Sequence, residues 1–245
     1  LELFFSGKLP NLDFSKIEQK PNQPTRAASA AVLGYLADNV ENMIVSSADL
    51  SNSDKTDGFL KKTHPIVNGD FSGRFLNAGV SELTMACIMN GIVLHGGMYA
   101  ACGTFFVFSD YMKPAYRMAA LMRLPVKYVW SHDAFRVGED GPTHQPIEQE
   151  MQVRLLEKIK NHAGKNSMLV LRPADVYETT EAWKMAMENT DTPTALILSR
   201  QNVNDLPGDR VAESKKAAKG AYIVKACEGT PDIVMVANGS EVSTL

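Results

Sequence analysis

The feature that most constrains this chain is a rhythm of short apolar runs set between longer helical patterns, sustained from Thr25 to about residue 200. NMIVSS (42–47), RFLNAG (74–79), MYAACG (98–103), VKYVWS (126–131), MLVLR (168–172) and TALILSR (194–200) are brief, rich in β-branched residues or otherwise apolar, and read as strands. Between them, TRAASAAVLGYLADN (25–39) is alanine-rich, and VSELTMACIMNGIVLH (80–95) is amphipathic and stopped by Gly96-Gly97. TFFVFSDYMKPAYRMAALMRL (104–124) reads as a helix kinked or started by Pro114. QEMQVRLLEKIKNH (149–162) and ADVYETTEAWKMAMEN (174–189) complete the helical set. Strands that are apolar throughout, rather than alternating, are buried on both faces. Alternation with helices therefore predicts an α/β fold: an open parallel sheet with helices on both faces.

Such sheets collect ligands at the carboxyl ends of their strands. Three polar, irregular segments are expected there: ADLSNSD (48–54), HDAFRVGEDGPTHQP (132–146) and the residues after TALILSR. The first opens a long excursion to Gly73 that is either disordered or functional. Residues 1–24, with Pro10, Pro21 and Pro24, read as a linker or arm, and 25–208 as one domain. Residues 209–245 read as a linker followed by the opening of a further domain. There GAYIVKACEGTPDIVMVANGSEVSTL suggests a new strand pair that stops before its next helix.

Composition narrows the class without touching the chemistry. The 245 residues carry a net charge of −3, which offers no basic surplus for nucleic acid. No run approaches the ~18 apolar residues of a membrane span, and the first residues lack a secretory pattern. Cys87, Cys102 and Cys227 are scattered and odd in number, as expected of reduced thiols in a cytoplasmic chain.

Four groups of residues could carry chemistry. The loop from His132 to His144 holds both histidines with Asp133, Glu139 and Asp140. It can be a solvated turn, a metal site of His132, Asp133, Asp140 and His144, or a polar pocket for a polyhydroxylated substrate. No HxH or HExxH spacing supports the metal reading. Glu82 is either a first-turn glutamate favoured by the helix dipole or a carboxyl buried against a ligand. Phe105, Phe108 and Tyr111 recur every three residues and would stack along one helix face, as core or as the lining for a flat ring. Arg26, Ser53, His132 and Arg200 lie at expected element ends, where anions are held.

Taken together, GEDGPTHQP (138–146), the aromatic stripe, Glu82 in GVSELTMACIMNGIVLHGG and TALILSRQN (194–202) resemble the pyrimidine-binding middle domain of transketolase. The resemblance runs from Thr25 to Asn202 and resumes over 220–242. Other thiamine-diphosphate enzymes share the fold and the glutamate, but the complete GEDGPTHQP string is more specific. The resemblance implies an enzyme that transfers a two-carbon ketol unit from a ketose phosphate to an aldose phosphate. Glu82 would correspond to the glutamate that hydrogen-bonds the aminopyrimidine ring of thiamine diphosphate and assists removal of the thiazolium proton. Phe105, Phe108 and Tyr111 would form the pocket for that ring, and Asp49 would match an aspartate near the cofactor. His132 and His144 would contact the donor sugar and Asp140 its C2 hydroxyl, while Arg26, Ser53 and Arg200 would bind the sugar phosphate.

The family's GDG motif and paired asparagines, which hold the diphosphate and Mg2+, have no counterpart in this sequence, so no metal ligand is expected in it. The resemblance implies half of a site, completed by the diphosphate-binding domain of a second subunit in a homodimer, with the chain inactive alone. A non-catalytic assembly or regulatory module of the same fold is the alternative. SSADL replaces the family's glycine-rich GGSADL, Ser81 stands where arginine is common, and the helix around 151–166 is longer than usual.

Overall fold

The computed structural model describes residues 2–245, apart from the side chain of Phe135. Its centre is a six-stranded sheet in which every pairing is parallel. The strands are β1 Met43–Ser47, β2 Phe75–Asn77, β3 Tyr99–Phe105, β4 Lys127–Ser131, β5 Leu169–Leu171 and β6 Thr194–Leu198. Their order is β2-β1-β3-β4-β6-β5. The helices are α1 Glu2–Phe5, α2 Thr25–Asn39, α3 Ser51–Asp54, α4 Asp57–Leu60, α5 Glu82–His95, α6 Ser109–Met122, α7 Gln149–Lys158, α8 Val176–Glu188 and α9 Arg210–Glu213.

The two-residue period of a strand sorts side chains into two cores. On β4, Tyr128 and Trp130 point to one face and Val129 to the other; on β6, Ala195 and Ile197 oppose Leu196 and Leu198. The first face packs Met85 and Met89 of α5, Met112 and Tyr116 of α6, and Val153 of α7. Trp130 lies stacked between Phe106 and Tyr128, both 5.6 Å away, with Tyr116 edge-on at 5.5 Å. Each such pair contributes about 1 kcal/mol beyond the area it buries. The second face packs α2 against α8, where the indole N–H of Trp183 donates to Ser29 Oγ at 2.8 Å.

All six expected strands form, and the excursion after β1 is ordered by α3, α4 and the buried Phe59. The helix expected over 104–124 starts later, because Thr104 and Phe105 complete β3 and Phe106–Phe108 form a 3-10 turn; Pro114 lies inside α6. The helix expected to His162 ends at Lys158. Ile159 is extended, Asn161 Oδ1 accepts from the amides of Ala163 and Lys165, and Gly164 takes φ +76, so the chain reverses there. The strand pair expected after Gly220 is absent among the described residues. Ile233, Val234 and Val236 stay exposed there, since a two-stranded ribbon without a sheet to cover is barely stable. Residues 2–24 lie against the domain, with Leu9, Leu12, Phe14 and Ile17 on the second core.

Candidate active site

Five neighbouring strands each deliver one expected site residue to the carboxyl edge. In sheet order these are Glu82 after β2, Asp49 after β1, Phe105 ending β3, His132 after β4 and Arg200 after β6. The register levels them, since Phe105 is opposite Ser131 and Ser131 opposite Leu198. Asp49 and His132 both take φ +64 as the chain leaves its strand, a left-handed conformation that side chains other than glycine adopt only where their surroundings hold them.

Phe105, Phe108 and Tyr111 do stack, but not as one helix face. They come from a strand end, a 3-10 turn and the first turn of α6. Phe105 and Phe108 lie at 6.0 Å and 12°, Phe108 and Tyr111 at 6.0 Å and 26°. The stack runs from Phe105, 6% exposed, to Tyr111, 63% exposed. His132 lies flat on Phe105 with centroids 3.6 Å apart, and His144 meets Phe108 edge-on at 5.3 Å. Both histidines thus reach one aromatic surface from opposite ends of the 132–144 loop. Glu82 begins α5 at 8% exposure, and its carboxyl forms no hydrogen bond or ion pair among the described residues. A dipole-favoured surface glutamate would not be so buried.

Cations gather at the β4–β6 end. Arg26 donates from Nη1 to the Ser53 carbonyl at 2.6 Å and its hydroxyl at 3.4 Å, while its buried Nε has no partner among the described residues. Arg200 lies 3.8 Å from Glu139 and 3.9 Å from Asp140. Burial and the charge of Arg200 both lower the pKa of Arg26. Burial, then Arg26, Arg200 and His144, push His132 down to about 3, so its ring is neutral at pH 7. Its Nδ1 pairs with Ser131 Oγ at 2.9 Å. Two guanidinium groups beside a neutral imidazole suit an anion carrying hydroxyls.

The metal reading of the loop does not survive the geometry. Asp133 turns away from the histidines to Arg172, 3.1 Å away, and to Ser240. Among the described residues no three His, Cys, Asp or Glu gather as a metal site.

One group behind the site escaped the sequence reading. Asp54 is fully buried, and its carboxylate accepts from Ser47 Oγ at 2.6 Å and from the amide and hydroxyl of Thr56 at 2.8 and 2.7 Å. Burial raises its pKa to about 6. These bonds fix α3, and with it the Ser53 carbonyl that Arg26 grips.

A family model described as transketolase, pyrimidine binding domain, matches residues 22–205. The chain belongs to the transketolase family. The transketolase of Bacillus subtilis (strain 168) is 43% identical over 248 residues, spanning 99% of this chain and 35% of its own length. A transketolase structure from Pichia stipitis in complex with sedoheptulose 7-phosphate superposes with a TM-score of 0.86 at 38% identity, covering 99% of this chain and 35% of that one. A split-gene transketolase described as an inactive β4 tetramer matches with a TM-score of 0.58 at 28% identity, over 76% of this chain and 55% of its own. This chain thus spans about a third of the length of the curated transketolases it matches. Membership of the transketolase family implies thiamine diphosphate and a divalent metal. No helix among the described residues is long and apolar enough to cross a membrane.

Proposed function

We propose that this chain supplies the pyrimidine side of a transketolase active site, in an enzyme that moves a two-carbon ketol unit from a ketose phosphate to an aldose phosphate. The observation that carries the reading is the row from Glu82 to Arg200 along one sheet edge, with an aromatic surface near its middle. The donor set fits thiamine diphosphate: flat stacked rings for an aminopyrimidine, and a glutamate only 8% exposed whose carboxyl has no protein partner among the described residues and is open to a ring nitrogen. When bound, that cofactor supplies the carbanion chemistry.

This chain's own residues bind, orient and hold protons. Phe105, Phe108 and Tyr111 receive the ring, Glu82 holds a proton on its nitrogen, and Asp49 stands close by. With His132 Nδ1 engaged by Ser131, a sugar hydroxyl would pair with Nε2. His144 and Asp140 take further hydroxyls. Arg26, Ser53 and Arg200 anchor the phosphate, whose remote binding orients the reacting carbonyl.

The diphosphate and Mg2+ would be held by another domain, contributed by a second subunit of a homodimer in the cytoplasm. The chain alone is then inactive, in keeping with the relative described as an inactive β4 tetramer. The test is complementation. This chain, the separately expressed diphosphate-binding domain, thiamine diphosphate and Mg2+ are mixed and assayed for ketol transfer, with Glu82→Gln alongside. Activity in the mixture that Glu82→Gln lowers by at least a hundredfold is expected. Activity that survives Glu82→Gln overturns the glutamate's role. A complex that forms and binds cofactor yet transfers nothing favours the assembly-module reading.

A further inference from the structure

Beside the row of site residues lies a set of charges that the reading above does not use. Arg172 is the first residue after β5, and its side chain is 5% exposed. Its Nε and Nη2 donate to Asp133 Oδ2 at 3.2 and 3.1 Å, and its Nη1 to Glu150 of α7 at 3.0 Å. The same guanidinium bonds Asn238 at 3.0 Å and Glu241 at 2.8 Å. The Ser240 hydroxyl donates to the same Asp133 oxygen at 2.8 Å. Gly239 lies so close to the arginine stem that a Cβ there would collide with it. Asp133 is therefore fixed from two sides, with its side chain 1% exposed.

Asp133 directly follows His132, the residue held at φ +64. A single strained dihedral persists only when the flanking backbone is over-determined. Upstream, Ser131 is locked in β4 by its neighbours β3 and β6. Downstream the lock is Asp133. We propose that Arg172 and Asp133 are a positioning pair that keeps His132 flat on Phe105, and that residues 238–241 close the pair from outside. The chain beyond the domain thereby sets the attitude of a site histidine. The consequence for catalysis rests on the reading of His132 as a sugar contact, but the structural linkage does not.

The test reads His132 directly, in the full chain. Its Cε1–H signal is assigned by its absence from His132→Gln and followed by NMR through a pH titration. In the parent chain the proton is shifted by the Phe105 ring current and does not titrate above about pH 5, given burial and the facing charges of Arg26, Arg200 and His144. In Arg172→Gln, and more mildly in the double variant Ser240→Ala/Glu241→Gln, the ring-current shift shrinks and the midpoint rises by about one unit or more. Arg172→Gln also removes a positive charge and leaves Asp133 uncompensated, which raises the midpoint without any movement of the ring. The ring-current shift therefore decides, and the double variant, which removes the Glu241 carboxylate instead, separates position from charge. A folded Arg172→Gln whose His132 keeps its ring-current shift overturns the proposal, whatever its midpoint. If that variant does not fold, an unmoved His132 in the double variant overturns it. Failure of complementation with a responsive His132 would instead count against the functional reading alone.

Discussion

Asp54 offers the sharpest quantitative prediction, because its buried charge is held by hydrogen bonds and not by an ion pair. Its carboxyl has a raised pKa, from 3.8 to about 6. The folded state therefore favours the protonated form: its contribution is fully present below about pH 4 and is lost as pH rises through about 6. At 1.36 kcal/mol per unit the loss totals about 3 kcal/mol, of which about 2 kcal/mol develops between about pH 4.5 and about pH 8. Asp54→Asn removes the charge and keeps acceptance from Thr56. The new amide must donate to Ser47 Oγ, which already accepts from the Leu50 amide at 3.1 Å, so the serine proton loses its partner at a cost of about 1 kcal/mol. Asp54→Asn is thus expected to match the parent chain near pH 4.5 and to exceed it by about 2 kcal/mol near pH 8. Urea denaturation at both pH values, fitted with a common slope, measures the difference. A stability difference that does not change with pH would refute the argument, whatever its sign. Asp57, Arg26 and Cys102 share the field around Asp54 and are unaltered in the comparison.

Two further substitutions probe the same scaffold. A Cβ on Gly103 of β3 would stand 2.6 Å from Thr56 Cγ2 and 2.9 Å from Asp54 Oδ2, so Gly103→Ala should cost about 1–3 kcal/mol; an unmoved urea midpoint would contradict this. Lys127 is wholly buried at the opposite edge of the sheet, where its ammonium donates to the carbonyls of Pro125 and Asn189 and lies over the Tyr99 ring, 6.0 Å from its centroid, and burial lowers its pKa to about 7. A depressed lysine destabilises the fold most below pH 7 and least above its unfolded value. Lys127→Met should therefore gain a net ~2 kcal/mol near pH 6, after allowing for the two carbonyls left without a donor, and that gain should be lost by pH 9, where the lysine's cost has fallen by about 3 kcal/mol. A gain that grows with pH would invert the assignment.

What could be read in the sequence was what depends on local pattern. Apolar runs such as TALIL and KYVWS announced buried parallel strands, and polar residues following them announced the functional edge. Misreadings arose where pattern is shared between structures. Phe105, Phe108 and Tyr111 have helical spacing, but the first belongs to β3, because its register opposite Ser131 outweighs the local preference. The β-branched run at 233–236 reads as a strand in isolation, but a strand exists only against a partner. Asp54 was missed because its meaning lies in burial beneath β3, which no spacing reveals. Arg172 carried the same signal as Arg200, a cation at the end of an apolar strand, and was open to the same inference. Its partners lie 22 to 69 residues away in sequence, so only the fold names them.

The way the site is strung along the sheet has a kinetic consequence. No two members of the row Glu82, Asp49, Phe105, His132 and Arg200 follow the same strand, and the strand order β2-β1-β3-β4-β6 runs the row from early parts of the chain to late ones. The Thr25 hydroxyl, one residue before Arg26, accepts from the Ser199 amide at 2.7 Å across 174 residues. Contacts of such span close last and slowly. A nascent or partly unravelled molecule therefore holds no working subset of the site, because the aromatic surface and the paired arginines come together only after every crossover has docked. Ligand occupancy then acts as a proofreading signal for this fold: whatever binds across the whole row reports, and by mass action rewards, complete folding.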